Sequence, residues 1–275
     1  MSFTLLKIPK YQVVPLILRA YGTMLVVASL TFEGPMEKLV FDVGNTRIKG
    51  ALFNCDVLQD IFYLEGTDAL ISKIHESSLP VIVSSVAIEA SIFEVLPVDQ
   101  RPLFLTPHTP LPISIHYDTP HTLGVDRLAA ATGAYAEFPG QNVLIIDLGT
   151  CNTYDVLDKN GTFQGGVISP GYQMRMRSMH EMTGRLPDIS QDQQVNTAIP
   201  GKSTRECMSL GAQYGMSLEI NGFIEHFGKE YDELCVIVTG GSTTHFESFI
   251  KPPIFVRPEI VLVGLNRILD DNVAN

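Results

Sequence analysis

One phosphate-loop pattern is written twice in this chain, and that repeat limits the possible folds more than any other feature. Residues 39–53 read LVFDVGNTRIKGALF, and residues 144–158 read LIIDLGTCNTYDVLD. Each copy opens with a short apolar run, turns at Asp-x-Gly, passes through small hydroxyl or amide residues and resumes as strand-like sequence. Asp42 and Asp147 hold matching places in the two copies, as do Gly44 and Gly149. Two strand–turn–strand units, each with a carboxylate and a glycine at its turn, predict two related half-domains facing a nucleotide. The carboxylates can hold a hydrated Mg²⁺. The glycines let backbone N–H groups approach phosphate oxygens with no Cβ in the way.

The rest of the chain has the make-up of a packed protein. Its 275 residues are enough for two modest domains, with 45% hydrophobic and 18% charged residues. A net charge of −11 argues against a nucleic-acid partner, which selects a basic surface. An anionic ligand stays open, because glycine loops and helix N-termini bind phosphate locally. Cys55, Cys151, Cys207 and Cys235 are far apart and form no CxxC, so no disulfide framework is expected. They read as reduced, mostly buried thiols, Cys151 in the second loop included.

Residues 11–30, YQVVPLILRAYGTMLVVASL, are apolar enough to suggest a signal peptide or anchor. Pro15 and Arg19 interrupt the run, and no clear cleavage site follows. Met36 begins MEKLVFDVGNT, a sound start for a first strand. Residues 1–35 are therefore read as an N-terminal extension upstream of the true start, and no membrane partner is expected.

Strand and helix signals alternate along the remainder, which predicts an α/β class. Strand 39–43 pairs with 48–53 across Gly44-Asn45. A helix is expected over 67–77, a buried strand over 80–87 (PVIVSSVA), a short helix over 88–96 and short strands at 103–105 and 113–115. The alanine-rich Val125–Glu137 reads as a helix, and Pro139-Gly140 as a break between half-domains 36–140 and 141–275. Beyond the second loop come a strand edge and turn over 164–171, a methionine-rich helix over 172–182 and a loop over 186–199. A long helix over 204–227, a strand over 235–238 and a closing helix over 260–269 complete the chain.

Several motifs carry both a chemical and a bland reading. Asp42 to Lys49 is either a simple hairpin turn or a loop in which Asp42 holds Mg²⁺ through water. In the second case Asn45, Thr46 and Lys49 serve phosphates. Gly124-Val-Asp126-Arg127 is either a helix start stabilised by its dipole or the catalytic point. There Asp126 would take the proton of an attacking hydroxyl and Arg127 would bind an anionic group. Gly165-Gly166-Val-Ile-Ser-Pro-Gly171 is a turn pair or a flat surface for adenine or substrate, and Thr239-Gly240-Gly241 is a further close-approach site. Gly201-Lys202-Ser203 lacks the earlier glycine and the preceding strand of a Walker A motif. The seven histidines show no metal-ligand spacing.

Taken in order, Asp-x-Gly-Asn-Thr…Lys, Gly-x-Asp-Arg, Asp-x-Gly-Thr, Gly-Gly-x-Ile-x-Pro-Gly, Gly-Lys-Ser-Thr and Thr-Gly-Gly resemble type III pantothenate kinase, of the acetate and sugar kinase/Hsp70/actin superfamily. The resemblance runs from Met36 to about Leu269 and takes in Tyr117 and the TGRLP run from Thr183. It implies duplicated ribonuclease H-like (actin-like ATPase) halves with ATP in the cleft between them. It implies phosphorylation of pantothenate, the first step of coenzyme A synthesis, by a cytoplasmic homodimer. Asp126 would be the general base. Tyr117, Gly124, Arg127 and Thr204 would bind pantothenate, Thr204 across the dimer interface. Asp42, Gly44, Asn45, Thr46, Lys49, Gly149 and Thr150 would serve ATP and Mg²⁺, and Asp147 a monovalent cation, K⁺ or NH₄⁺. Two alternatives stay open: a regulatory transcription accessory protein on the same scaffold, or a sugar or small-acid kinase of the superfamily.

Overall fold

A computed structural model describes residues 11–20, 23–32, 37–45, 47–190 and 199–273. It divides into two units, Met1–Glu37 and Lys38–Asn275. In the first, β1 (Tyr11–Ala20) and β2 (Thr23–Phe32) form an antiparallel ladder from Tyr11 opposite Phe32 to Ala20 opposite Thr23. Residues 11–20 and 23–30 of the apolar run thus lie in two strands. No helix among the described residues is long and apolar enough to cross a membrane.

The second unit contains two mixed sheets. The first is built from β3 (Glu37–Val43), β4 (Ile48–Asn54), β5 (Val57–Leu64), β6 (Val81–Ser85) and β7 (Leu103–Phe104), in the order β5-β4-β3-β6-β7. Helix α1 (Gly66–His75) links β5 to β6, and a 3₁₀ segment, Ala90–Val95, stands where a short helix was expected. Then come β8 (Ser114–Ile115) and α2 (Val125–Glu137). The second sheet adds β9 (Val143–Leu148), β10 (Cys151–Leu157), β11 (Thr162–Pro170), β12 (Cys235–Thr239) and β13 (Phe255–Val256). Its order is β13-β12-β9-β10-β11-β8. Between β11 and β12 lie α3 (Tyr172–Glu181) and α4 (Thr204–Glu230). The short α5 (Thr243–Phe246) follows β12, and α6 (Ile260–Val273) ends the chain.

Leaving aside β8, the two sheets share one order: third, second, first, fourth, fifth strand. In each, the fourth strand runs parallel to the first and the fifth parallel to the fourth. The repeat seen in the sequence is therefore a repeat of topology.

Strand alternation decides where the two repeat acids point. In β3, Leu39, Phe41 and Val43 pack with Leu70 and Ile74 of α1, while Val40 joins a core with α2 and α6. In β9, Leu144, Ile146 and Leu148 pack with α3 and α4, while Val143 and Ile145 meet α2. Asp42 is in phase with Val40 and Asp147 with Ile145, so both acids end the α2-facing side of their strand. Helices α2 and α6 lie against each other at glycines. A Cβ on Gly133 would run into the Ile260 carbonyl, and one on Gly264 into the Ala129 carbonyl. Leu262, Leu265, Ile268 and Leu269 carry α6 into the core of the first sheet, where buried Lys38 pairs with Asp270 at 2.5 Å.

The cysteines depart from expectation. Cys55, Cys151 and Cys207 are exposed and only Cys235 is buried. The three exposed thiols stand at a hairpin turn, a strand start and a helix first turn, where the chain reaches the surface.

Candidate active site

The paired strand ends bring carboxylates together at the start of α2. Asp42 is pushed up to about 6, first by burial and then by the charge of Asp126, with Lys49 opposing. Asp147 is pushed up to about 7 by burial, then by Asp126, Asp42 and Asp155, again with Lys49 opposing. Asp126 and Lys49 thus act on both strand-end acids, and Asp42 and Asp155 act on Asp147 as well. Lys49 reaches this group from β4 and donates to the Pro258 carbonyl at 2.8 Å.

Asp126 lies in the first turn of α2, where Oδ1 accepts the Arg127 backbone N–H at 2.9 Å. Gly124 is the N-cap, and a Cβ there would stand 2.5 Å from that oxygen. The absence of a side chain at 124 is what lets the carboxylate fold back over the helix start.

Arg127 points into the protein and is 8% exposed. Its Nε donates to both Asp155 oxygens at 3.1 Å, and Nη2 donates to Oδ1. The guanidinium carbon lies 5.9 Å from the Tyr117 ring centre and 5.6 Å from that of Phe163. Burial works against the charge on Arg127, but its bonds to Asp155 and, after them, to the Tyr117 side chain outweigh it and hold its pKa above the ordinary value. Asp155 was given no part in the sequence reading. The available signal was a lone carboxylate between Tyr154 and Val156 in a strand otherwise buried there.

The glycine motifs are occupied by the protein itself. Gly165, at φ +90, would put a Cβ 3.5 Å from the Tyr117 ring; one on Gly166 would lie 2.5 Å from the Asp155 carboxylate and closer still to the Tyr154 carbonyl. Gly240, at φ +95, is pressed against the Asp147 carboxylate and the Leu148 backbone. Gly171 donates to the Thr150 carbonyl at 3.1 Å and has no room for a Cβ beside Gly149 and Thr150. Gly149 itself donates to the Cys151 carbonyl at 3.2 Å. In the first loop Gly44 donates to the Arg47 carbonyl at 3.2 Å, and Asn45 is exposed. Thr46 falls outside the described residues.

Gly201-Lys202-Ser203 is a helix cap. The Ser203 hydroxyl accepts from the Glu206 N–H, and Glu206 accepts from the Ser203 N–H in return, a capping box for α4. Thr204 is exposed at the rim of a cavity of about 500 Å³ lined by Met179, Leu186, Gly201, Lys202 and Cys207. Asp42, Asp126 and Asp147 do not line it.

Among the described residues, no three acidic, histidine or cysteine side chains converge tightly enough to hold a metal ion alone. A cation that shares its shell with water and phosphate oxygens suits these residues better than an all-protein cage, and Mg²⁺ behaves that way. Carboxylates lifted by burial and then by neighbouring negative charge are also the kind that a cation restores to their charged form.

The family profile described as type III pantothenate kinase matches residues 38–226. A type III pantothenate kinase of Cytophaga hutchinsonii is 42% identical over 236 residues, covering 86% of this chain and 99% of that one. One from Bacteroides fragilis is 37% identical over 85% of this chain and 98% of its own. Among solved structures, a Campylobacter jejuni protein described as a conserved Baf family transcriptional activator superposes with a TM-score of 0.53 at 18% identity, over 86% of this chain and 98% of that one. That likeness bears on the fold alone. With two sheets of one strand order, the fold is a duplicated ribonuclease H-like α/β fold. The chain belongs to the type III pantothenate kinase family.

Proposed function

We propose that this protein transfers the terminal phosphoryl group of ATP to the primary hydroxyl of pantothenate, giving 4′-phosphopantothenate for coenzyme A synthesis. The observation that carries the reading is the convergence of Asp42, Asp126 and Asp147 at the ends of two equivalent strands and the start of α2. Phosphoryl transfer asks mainly for positioning and for stabilisation of charge, which loops, cations and one basic carboxylate can supply.

In this reading Asp126 accepts the proton of the attacking hydroxyl. Tyr117, Gly124 and Arg127 hold pantothenate. Gly44, Asn45, Thr46 and Lys49 serve the ATP phosphates from one side, and Gly149 and Thr150 from the other. Asp42 would hold Mg²⁺ through water, and Asp147 a K⁺ or NH₄⁺ ion. When bound, these cations would offset the negative charge of the phosphates and of the carboxylates around them.

We further infer a cytoplasmic homodimer whose catalytic unit divides into halves 36–140 and 141–275, with 1–35 as an extension. What supports the dimer is α4. Tyr214 and Leu218 are 45% and 58% exposed on it, and Gly211, Gly215 and Gly222 have open space around them. Pairing of α4 with a second copy would carry Thr204 toward the partner's pantothenate.

The test is coupled ADP release from protein beginning at Met36, with ATP, Mg²⁺ and K⁺, with and without pantothenate. Turnover that requires pantothenate is expected. ADP release that ignores pantothenate, or none at all, would overturn the reading.

A further inference from the structure

We propose that Asp155 is a positioning residue: it grips one edge of the Arg127 guanidinium and thereby sets the preference for an acceptor that carries a carboxylate. The inference rests on the reading of Arg127 as the cation that binds pantothenate.

Asp155 is 1% exposed, and its carboxylate engages Nε and Nη2 of Arg127. Nη1 is the nitrogen that Asp155 does not engage. The rings of Tyr117 and Phe163 lie near the guanidinium, their own centres 6.2 Å apart. Rings restrain tilt and Tyr117 adds one side-chain bond of its own, but the two-point hold that fixes rotation in the guanidinium plane is the carboxylate of Asp155. Two further features hold Asp155 itself. Gly166 faces it across the β10–β11 register with no side chain in the way, and Thr153 bonds to it from the same face of β10. The arrangement leaves a guanidinium of set orientation, one residue from Asp126 in the chain, held along one edge by Asp155 and bonded also to the Tyr117 side chain, with Nη1 outside the carboxylate's grip. A planar cation fixed in this way distinguishes a carboxylate from a neutral group of similar size, because only the carboxylate completes its remaining hydrogen bonds with opposite charge.

The experiment compares pantothenate with pantothenol, which has a hydroxymethyl group in place of the carboxylate. KM and kcat are measured for both (an inhibition constant serves if pantothenol is not turned over) in wild type, Asp155→Asn, Arg127→Gln and the double variant. Asp155→Asn is expected to raise KM for pantothenate by about tenfold or more, with kcat changed by less than about threefold and pantothenol affinity nearly unmoved. Arg127→Gln should erase the preference, and adding Asp155→Asn to it should change nothing further. Equal losses for both acceptors, or a double variant clearly worse than Arg127→Gln, would overturn the proposal by giving Asp155 a general structural role. If Asp155→Asn does not fold because it strands a buried cation, the double variant removes both charges and the comparison with Arg127→Gln still decides. Arg127→Gln that keeps the preference would remove Arg127 as the acceptor cation, and the proposal with it. Wild type without pantothenate turnover would remove the functional reading itself.

Discussion

The two repeated loops share a strand order and a sheet face, yet they differ in how they handle charge. The first brings its own cation: Lys49 follows Asp42 on the next strand and opposes the rise of its pKa. The second has no lysine or arginine between Asp147 and Asp158. Asp147 meets three carboxylates, with Lys49 reaching it only from the other loop, and it is lifted further. The two also differ in space. Among the described residues, a Cβ on Gly44 would meet its nearest neighbour, the Arg47 carbonyl, at 3.6 Å, an ordinary contact, whereas Gly171 and Gly240 press directly on the second loop. A duplicated motif has thus become one loop with its own countercharge and one more tightly packed loop whose acid meets more negative charge.

The largest test of this contrast lies on the group common to both loops. Asp126→Asn is expected to lower kcat by about 10³-fold while ATP affinity is kept, measured by turnover and by nucleotide titration. Full activity would refute its role as base. Next is the asymmetry itself. Asp147→Asn should cost about 10–100-fold in activity and flatten the dependence on K⁺ or NH₄⁺. Equal rates of the wild type in Na⁺ and K⁺ buffers would break the cation assignment.

A third test is of stability against pH. Asp42 and Asp147 rise from 3.8 to about 6 and about 7 on folding, so between those limits the folded state binds more protons than the unfolded one. Their contribution is fully present below pH 3.8 and is lost as pH climbs through 6 and 7. Without cations, the melting temperature should therefore carry a falling component from about pH 4 to pH 7. Mg²⁺ and K⁺ should raise it more at pH 8 than at pH 5. Stabilisation by cations that does not change with pH would sink the idea that these two acids hold them. The smallest expected effect separates the loops by shape. Gly240→Ala meets a positive φ and the Asp147 carboxylate, and should cost about 1–3 kcal/mol in denaturant unfolding. Gly44→Ala should cost less than about 1 kcal/mol and yet weaken ATP binding.

Much of the candidate site is legible in the sequence because it lies in short motifs. Asp42, Asp126 and Asp147 each stand at a turn or helix start that neighbouring residues define. Helix α2 was read to its ends, since Gly124 and Pro139 punctuate it. Edge strand β5 was not read, because its VLQDIFYL pattern is only partly buried and blurs the alternation. The 3₁₀ segment at Ala90–Val95 was read only as a short helix, since both share local spacing. Asp155 was missed because its partner Arg127 belongs to another element, and only packing brings the two together.

The sequence by itself determined that two strand–turn–strand units exist, which acids close them and where α2 begins. Those properties are set by the side-chain period of a strand, by glycine and by helix-start chemistry within a few residues. The tertiary structure decided which cation each carboxylate meets, that Gly165 and Gly166 seat Tyr117 and Asp155, and that α6 returns to the first sheet through Gly133 and Gly264. Those are contacts between residues far apart in the chain, fixed by sheet register and helix packing, and no local pattern encodes them.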